Sequence, residues 1–244
     1  MSKVKLNIKV MIIDSDFYAL RALNSYIAWD RRTRVVAQVQ TLKGAIDHLQ
    51  ELAEAEYPDV VLIEPDGFES PDALREAIKQ LNKLIKEAAV ICIARTTNPH
   101  LVSAALDAGI RAYLVRNEVG IHIVSALVYA RDHELTITKA IQKMNHDPYD
   151  VRLQAAKVLP KQREYPEMTE RIRQALWLSV IEGMSAQLAA DEMGVSPHTI
   201  RSYIKEGYRI LKAHDDTDYP TTMSPEEQAF MRFTALDDED GPAS

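Results

Sequence analysis

The first half of the chain alternates short, wholly apolar runs with longer stretches whose apolar residues recur every three or four positions. KVMII, Lys9 to Ile13, reads as a strand buried on both faces that opens into Asp14-Ser15-Asp16. Phe17 to Trp29 has helical spacing through Leu20, Leu23 and Ile27, Val35 to Val39 is a β-branched strand, and Leu42 to Ala53 is helical again. DVVLI, Asp59 to Ile63, is a second fully apolar strand, followed by the breaker-rich EPDGFESPD. Ala73 to Ile85 is a helix, Ala88 to Ile93 a strand, and Pro99 to Ala108 a helix stopped by Gly109; Ala112 to Val115 gives the last strand and Ile121 to Tyr129 the last helix. This alternation predicts an α/β fold, a doubly wound parallel sheet of five strands covered on both sides by five helices. Ligands of such sheets sit at the carboxyl ends of the strands. Here those ends carry Asp14, Ser15 and Asp16; Glu64, Pro65 and Asp66; Ala94 and Arg95; and Arg116.

The pattern changes after Tyr165, where only helical spacing remains. In GMSAQLAADEMGVSPHTIRSYIKEGYRIL, Gly183 to Leu211, a helical run through Leu188, Ala189 and Met193 stops at Gly194-Val195-Ser196 and a second begins at once. Gly194 can take the positive φ that ends a helix, Ser196 can cap the next one, and Pro197 suits its first turn. Ala190, four residues before the turn glycine, lets two helices cross closely. On the second helix Ile200, Ile204 and Leu211 share one face, while Arg201, Ser202, Lys205, Arg209 and Lys212 fall largely on the others. Gly207 costs this helix about 1 kcal/mol of propensity and is a place for it to bend or end early.

At 244 residues the chain can form two modest cores. The acidity is uneven: of the formal charge of −7, residues from Asp215 onward carry −8 and the remainder about +1. From Pro197 to Ala213 four cations face Glu206 alone. With no run of eighteen apolar residues and no signal-peptide pattern, the expectation is a cytoplasmic protein with no membrane partner. Cys92, the single cysteine, lies in AAVICIA and reads as a core residue. The seven histidines form no pair at metal-ligand spacing, and no phosphate-cradling glycine loop or G-x-S-x-G elbow occurs. Neither an enzyme, a cofactor nor a metal is expected.

The C-terminal pattern resembles the helix-turn-helix domain of NarL/LuxR-type transcription regulators. That family has an EG-x-S segment, an alanine before the turn, then G-[IV]-S-x-x-T-[IV]-[KR], and Glu182, Gly183, Ser185, Ala190, Gly194, Val195, Ser196, Thr199, Ile200 and Arg201 stand at those places. Sigma-factor region 4 domains share much of this pattern. TERIRQALWLSVIEG, from Thr169, resembles the family's preceding helix but is one residue longer counted back from Gly183. The resemblance implies that the helix from Pro197 enters the major groove of double-stranded DNA. Arg201, Ser202 and Lys205 then fall at base edges, and Ser196, Thr199, Tyr203 and Arg209 at phosphates.

Residues 7 to 132 resemble the receiver domain of response regulators, most closely over TTNPHLVSAALDAGIRAYLVRNE. A phosphorylatable receiver needs two adjacent carboxylates that hold Mg²⁺, an acceptor aspartate, a hydroxyl residue and a lysine, because metal and lysine neutralise the transferring phosphoryl group. Asp14 keeps the first carboxylate; Ser15 replaces the second, Glu64 the acceptor, Ala94 the hydroxyl residue and Arg116 the lysine. The resemblance therefore implies a degenerate, pseudo-receiver pocket of Asp14, Ser15, Asp16, Glu64, Ala94 and Arg116, in which Glu64 pairs with Arg116. Asp66, two residues beyond Glu64, is a weaker candidate acceptor.

The expected organisation is a receiver-like domain over 1–132, a partly helical linker over 133–165, a helix-turn-helix domain over 166–214 and a mobile acidic tail over 215–244. The linker's HELTITKAIQKM reads as one more helix, and Pro148, Pro160 and Pro166 break regular structure beyond it. Ile121, Ile123, Val124, Leu127, Val128 and Tyr129 carry more apolar surface than one narrow stripe. That excess, with the family's habit, points to a homodimer, or else to burial under the linker. The function expected is a sequence-specific DNA-binding regulator whose receiver-like domain does not depend on phosphorylation, with RNA polymerase a further partner. The alternatives are a signalling adaptor that binds a protein or small ligand without DNA, and an ordinary phospho-switch.

Overall fold

In the computed structural model, residues 7–144, 150–215 and 217–237 are described, and the described chain divides into two compact units, one ending at Pro160 and the other starting at Lys161. The first is built on a parallel sheet. Its strands β1 (Ile8–Ile13), β2 (Thr33–Val39), β3 (Val60–Ile63), β4 (Ala89–Ala94) and β5 (Ala112–Val115) alternate with α1 (Phe17–Trp29), α2 (Leu42–Glu51), α3 (Pro71–Leu84) and α4 (Pro99–Asp107). After β5 come a single helical turn, α5 (Arg116–Val119), and α6 (Ile123–Arg131).

Each central strand divides its side chains between two cores because successive residues point to opposite faces. Ile8, Val10, Ile12, Val60, Leu62, Ile91, Ile93, Ala112 and Leu114 pack with α1 and α6. Met11, Ile13, Val61, Ile63, Val90, Cys92, Tyr113 and Val115 pack with α2, α3 and α4. Cys92 is fully buried, and burial pushes its thiol well above the usual range. Polar caps followed by proline start several helices: Ser70 and Asn98 accept from amides of the first turns of α3 and α4, with Pro71 and Pro99 next in line.

The sheet has seven strands rather than five, in the order β2-β1-β3-β4-β5-β6-β7. The segment expected to be a linker supplies the other two: β6 (Thr136–Ile137), then α7 (Lys139–Lys143), α8 (Val151–Ala155) and β7 (Lys157–Val158). HELTITKAIQKM is thus a strand and a short helix, not one helix; Pro148 lies outside the described residues. Two-residue strands carry no readable periodicity, but β6 continues the ladder of β5, pairing Thr136 with Ala112 and Ile137 with Tyr113. Leu159, just past β7, packs against the core on the α6 side, and Ile123, Val124 and Leu127 are buried there. The apolar excess of this helix is therefore largely used within its own unit, the outcome that competed with a dimer interface.

The second unit is helical: α9 (Glu170–Leu176), α10 (Ala186–Met193), α11 (Pro197–Ala213) and α12 (Pro225–Phe233). The surplus residue before Gly183 is absorbed by a π-helical turn, Trp177–Ile181, directly after α9. One inserted residue widens a helix locally instead of rotating everything beyond it. Gly194 takes φ 64° and closes α10, while Ser196 accepts from Thr199 N and opens α11. Ala190 is buried at the crossing and its carbonyl accepts from Val195 N.

Two expectations are overturned here. First, α11 runs unbroken through Gly207, because a Cβ at that position would sit 2.7 Å from Leu176 Cδ1 of α9. The glycine sacrifices helix propensity so that two helices can touch. Second, part of the acidic tail is folded: Ser224 and Glu227 form a capping box for α12, which buries Ala229, Phe230, Met231 and Phe233. Asp215 and Arg232, both nearly inaccessible, pair at 2.8 Å, and Tyr219 donates to the same carboxylate. Burial by itself would raise the Asp215 pKa, but hydrogen bonds from Thr217 and Tyr219 and the Arg232 charge hold it below the usual value. Asp216 and residues 238–244 lie outside the described residues.

Gly207→Ala tests the packing role. It gains about 1 kcal/mol of propensity but overpacks Leu176 at a cost of about 1–3 kcal/mol, so the unit should lose stability by about 1 kcal/mol. Urea unfolding should show this loss shrinking in a Leu176→Ala background. A stability gain on Gly207→Ala would reverse the assignment.

Candidate functional sites: a receiver-like pocket and a cationic helix

Strands β1, β3 and β5 deliver Asp14, Glu64 and Arg116 to one rim, and the loop after β4 brings Arg95 there. Asp14 is buried; one carboxylate oxygen accepts from Asp16 N at 3.0 Å and the other from the Arg116 guanidinium. Arg116 also donates through Nε to the Ile93 carbonyl at 3.4 Å. Glu64 is almost inaccessible; Oε2 accepts from Ser15 Oγ at 3.1 Å, and Oε1 lies 3.3 Å from Arg95 Nε in an ion contact without hydrogen-bond geometry. The expected Glu64–Arg116 pair is therefore not made. Arg116 reaches across to β1, leaving Glu64 to Arg95, a residue that spacing placed at the rim without a role.

Gly67 sets how closely these groups approach. A Cβ there would lie 2.6 Å from Glu64 Oε2 and 2.7 Å from Ser15 Oγ, so only glycine leaves room for that hydrogen bond. Nothing in the spacing of EPDGFESPD singled it out. The remaining rim residues serve the backbone. Asp16 caps α1, accepting from Tyr18 N and Ala19 N, and Asp66 accepts from Arg95 N at 2.7 Å and Thr96 Oγ1 at 2.8 Å. Ala94 is buried and offers no hydroxyl.

Burial raises the pKa of both Asp14 and Glu64. It outweighs the Asp16 amide and Arg116 at Asp14, and the Ser15 hydroxyl and Arg95 at Glu64. Each of the two buried carboxylates of the rim, Asp14 and Glu64, faces a guanidinium of the chain itself, Arg116 and Arg95. A Mg²⁺ ion wants free, hard oxygen ligands in octahedral array. Asp14 is committed to Arg116, Asp16 caps a helix and Ser15 faces Glu64, so these residues do not fit such an ion; among the described residues no group of three or more His, Cys, Asp or Glu is arranged to hold a metal ion.

In the helical unit, α11 buries Ile200, Gly207, Ile210 and Leu211 and turns Arg201, Ser202, Lys205, Arg209 and Lys212 outward. Among the described residues Arg201, Lys205 and Lys212 have no ion-pair partner, whereas Arg209 is held in a fork by Glu206 at 2.7 and 3.0 Å. Ser196 and Thr199 share a hydroxyl contact of 2.9 Å at the helix start, and Tyr203 is half-buried against the helical core.

The model of Sigma-70, region 4 matches residues 165–211, the stretch that contains the turn and α11. Two relatives extend over both units. Transcriptional regulatory protein YdfI of Bacillus subtilis is 22% identical over 216 residues, covering 87% of this chain and 93% of its own. Transcriptional regulatory protein CitT of Halalkalibacterium halodurans is 26% identical over 242 residues, covering 91% and 97%. Over both units the chain is similar to transcriptional response regulators. A solved structure of RcsB from Salmonella enterica serovar Typhimurium bound to promoter rprA is similar at 16% identity, covering 94% of this chain and 100% of that chain, with a TM-score of 0.46. No helix among the described residues is long and apolar enough to cross a membrane.

Arg116→Met tests the Asp14 pairing. It leaves a buried carboxylate unpaired and should cost about 3 kcal/mol at neutral pH. Because the folded pKa of Asp14 lies above its unfolded one, stability from this group is present below the unfolded value and lost as pH rises through the folded value. Losing Arg116 lifts the folded value further, so the penalty should shrink on acidification. Denaturant titrations across pH in which it stays constant would show that Asp14 does not depend on Arg116.

Proposed function

We propose that this regulator is a sequence-specific double-stranded-DNA-binding transcription factor whose receiver-like unit switches without phosphorylation. The observation that carries the reading is the outward face of α11, where Arg201, Lys205 and Lys212 stand unpaired and exposed behind a serine-capped helix start. A polyanion with regularly spaced phosphates is the partner such a face fits, and Arg201, Ser202 and Lys205 lead towards base edges. Ser196, Thr199, Tyr203 and Arg209 are assigned to phosphates, Arg209 after release from Glu206. YdfI and CitT, both transcriptional regulatory proteins by name, support the same reading.

Independence from phosphate rests on the rim. Glu64 in place of an acceptor aspartate is one methylene too long for in-line transfer, a geometry intolerant of displacements of about 1 Å. Asp66 spends both carboxylate oxygens on the loop after β4. In this reading the regulator acts as a cytoplasmic homodimer on paired half-sites and passes its signal to RNA polymerase. The adaptor alternative loses its footing in Gly207, which packs α11 rather than spoiling it.

Sequencing of genomic fragments retained by the protein would identify a site for binding titrations. On it, Arg201→Ala should cost about 1–3 kcal/mol and relax one base position, while Arg209→Ala should chiefly lower the salt slope. Unchanged binding by Arg201→Ala at every salt concentration would remove this helix from the interface. Incubation with acetyl phosphate and Mg²⁺ should leave the intact mass unaltered; a phosphoryl adduct lost on Asp66→Asn would restore the phospho-switch.

A further inference from the structure

A cavity of about 210 Å³ opens between α1 and the turn that follows β5. Ala22, Leu23 and Tyr26 form one wall, Val119 and Ile121 the other, and among the described residues Arg116 supplies the only charge in the lining. Ile121 and Tyr26 remain partly accessible, so this is where α6's leading segment keeps apolar surface that its own core does not use. The charge is the same guanidinium that neutralises Asp14. Its Nη2 and Nε are engaged by Asp14 and the Ile93 carbonyl, which leaves Nη1 without a protein acceptor among the described residues.

We infer that the cavity between α1 and the β5–α6 turn binds a small aromatic carboxylic acid, its ring among the apolar side chains and its carboxylate on Arg116. Size selects the ring: an apolar cavity of about 150 Å³ holds benzene, so this one admits a single ring with a short acidic arm. Charge selects the acid, because a half-buried guanidinium at an apolar wall favours an anion that brings its own hydrophobic body. The ligand's carboxylate competes with Asp14 for one arginine, so occupancy alters the contact that closes the rim from β1 to β5. The site gives the receiver-like unit an input that needs neither phosphate nor metal, and it stands on the cavity alone, independently of whether α11 binds DNA.

Titration calorimetry of the full chain with phenylacetate tests this, with phenylacetamide and acetate as the uncharged and ring-free probes. Phenylacetate should bind saturably, the amide about tenfold more weakly for want of the charge-assisted bond, and acetate undetectably. Ala22→Trp, at an exposed position of the wall, should abolish binding without unfolding the protein. Ile121→Phe, on the opposite wall, gives a second reading should the first variant fold poorly. Absence of phenylacetate binding, equal affinity for the amide, or binding untouched by the wall-filling variants would each overturn the assignment.

Discussion

Asp14 sits at the end of a strand buried on both faces, and a carboxylate there must be matched by a cation. A hydrated metal could supply the charge from solvent. Here Arg116 supplies it from the chain, reaching from the end of β5 across β3 and β4 to β1. The rest of the rim adjusts to that choice. With Arg116 committed, Glu64 turns to Ser15 and Arg95; with Ser15 turned inward, Gly67 must stay small. Each buried carboxylate is thus held by groups of the chain itself, Asp14 by Arg116 and Glu64 by Ser15 and Arg95.

The helical unit is governed by a different constraint, the distance between helix axes. Gly207 removes the side chain that would hold α11 away from Leu176, and the π-helical turn after α9 takes up an extra residue while leaving the turn and α11 in place. Both features look unfavourable along the chain. Both are local concessions that keep an exposed cationic face in order, because the buried arc of α11 fixes which side chains point outward.

Charge is partitioned as well as packed. The acidic C-terminal stretch contributes Asp215 to a nearly buried pair with Arg232, the single base of that stretch, and so ties α12 into the helical unit. Net charge summed along the sequence is a poor guide to what each surface presents. Arg209 is partly neutralised by its own neighbour Glu206, while Arg201 and Lys205 have no ion-pair partner among the described residues.

The α/β class, four of the five central strands as fully apolar runs, the helix-turn-helix and its outward cations were legible from spacing alone. Each is set by residues within one or two turns of each other, where pleat and helix period dictate which side faces inward. The residues of the rim were legible too, as strand ends of a doubly wound sheet. Their pairing was not, because partners such as Asp14 and Arg116 are a hundred positions apart and only the sheet decides which side chain reaches which. Nor could spacing reveal β6 and β7, two-residue strands that exist because β5 offers an open edge to β6 and β6 in turn to β7. The same holds for α12 and Gly207, whose folding and whose smallness are required by neighbours brought near only in three dimensions. Local periodicity determines elements; long-range contact determines which of their groups are satisfied, and by whom.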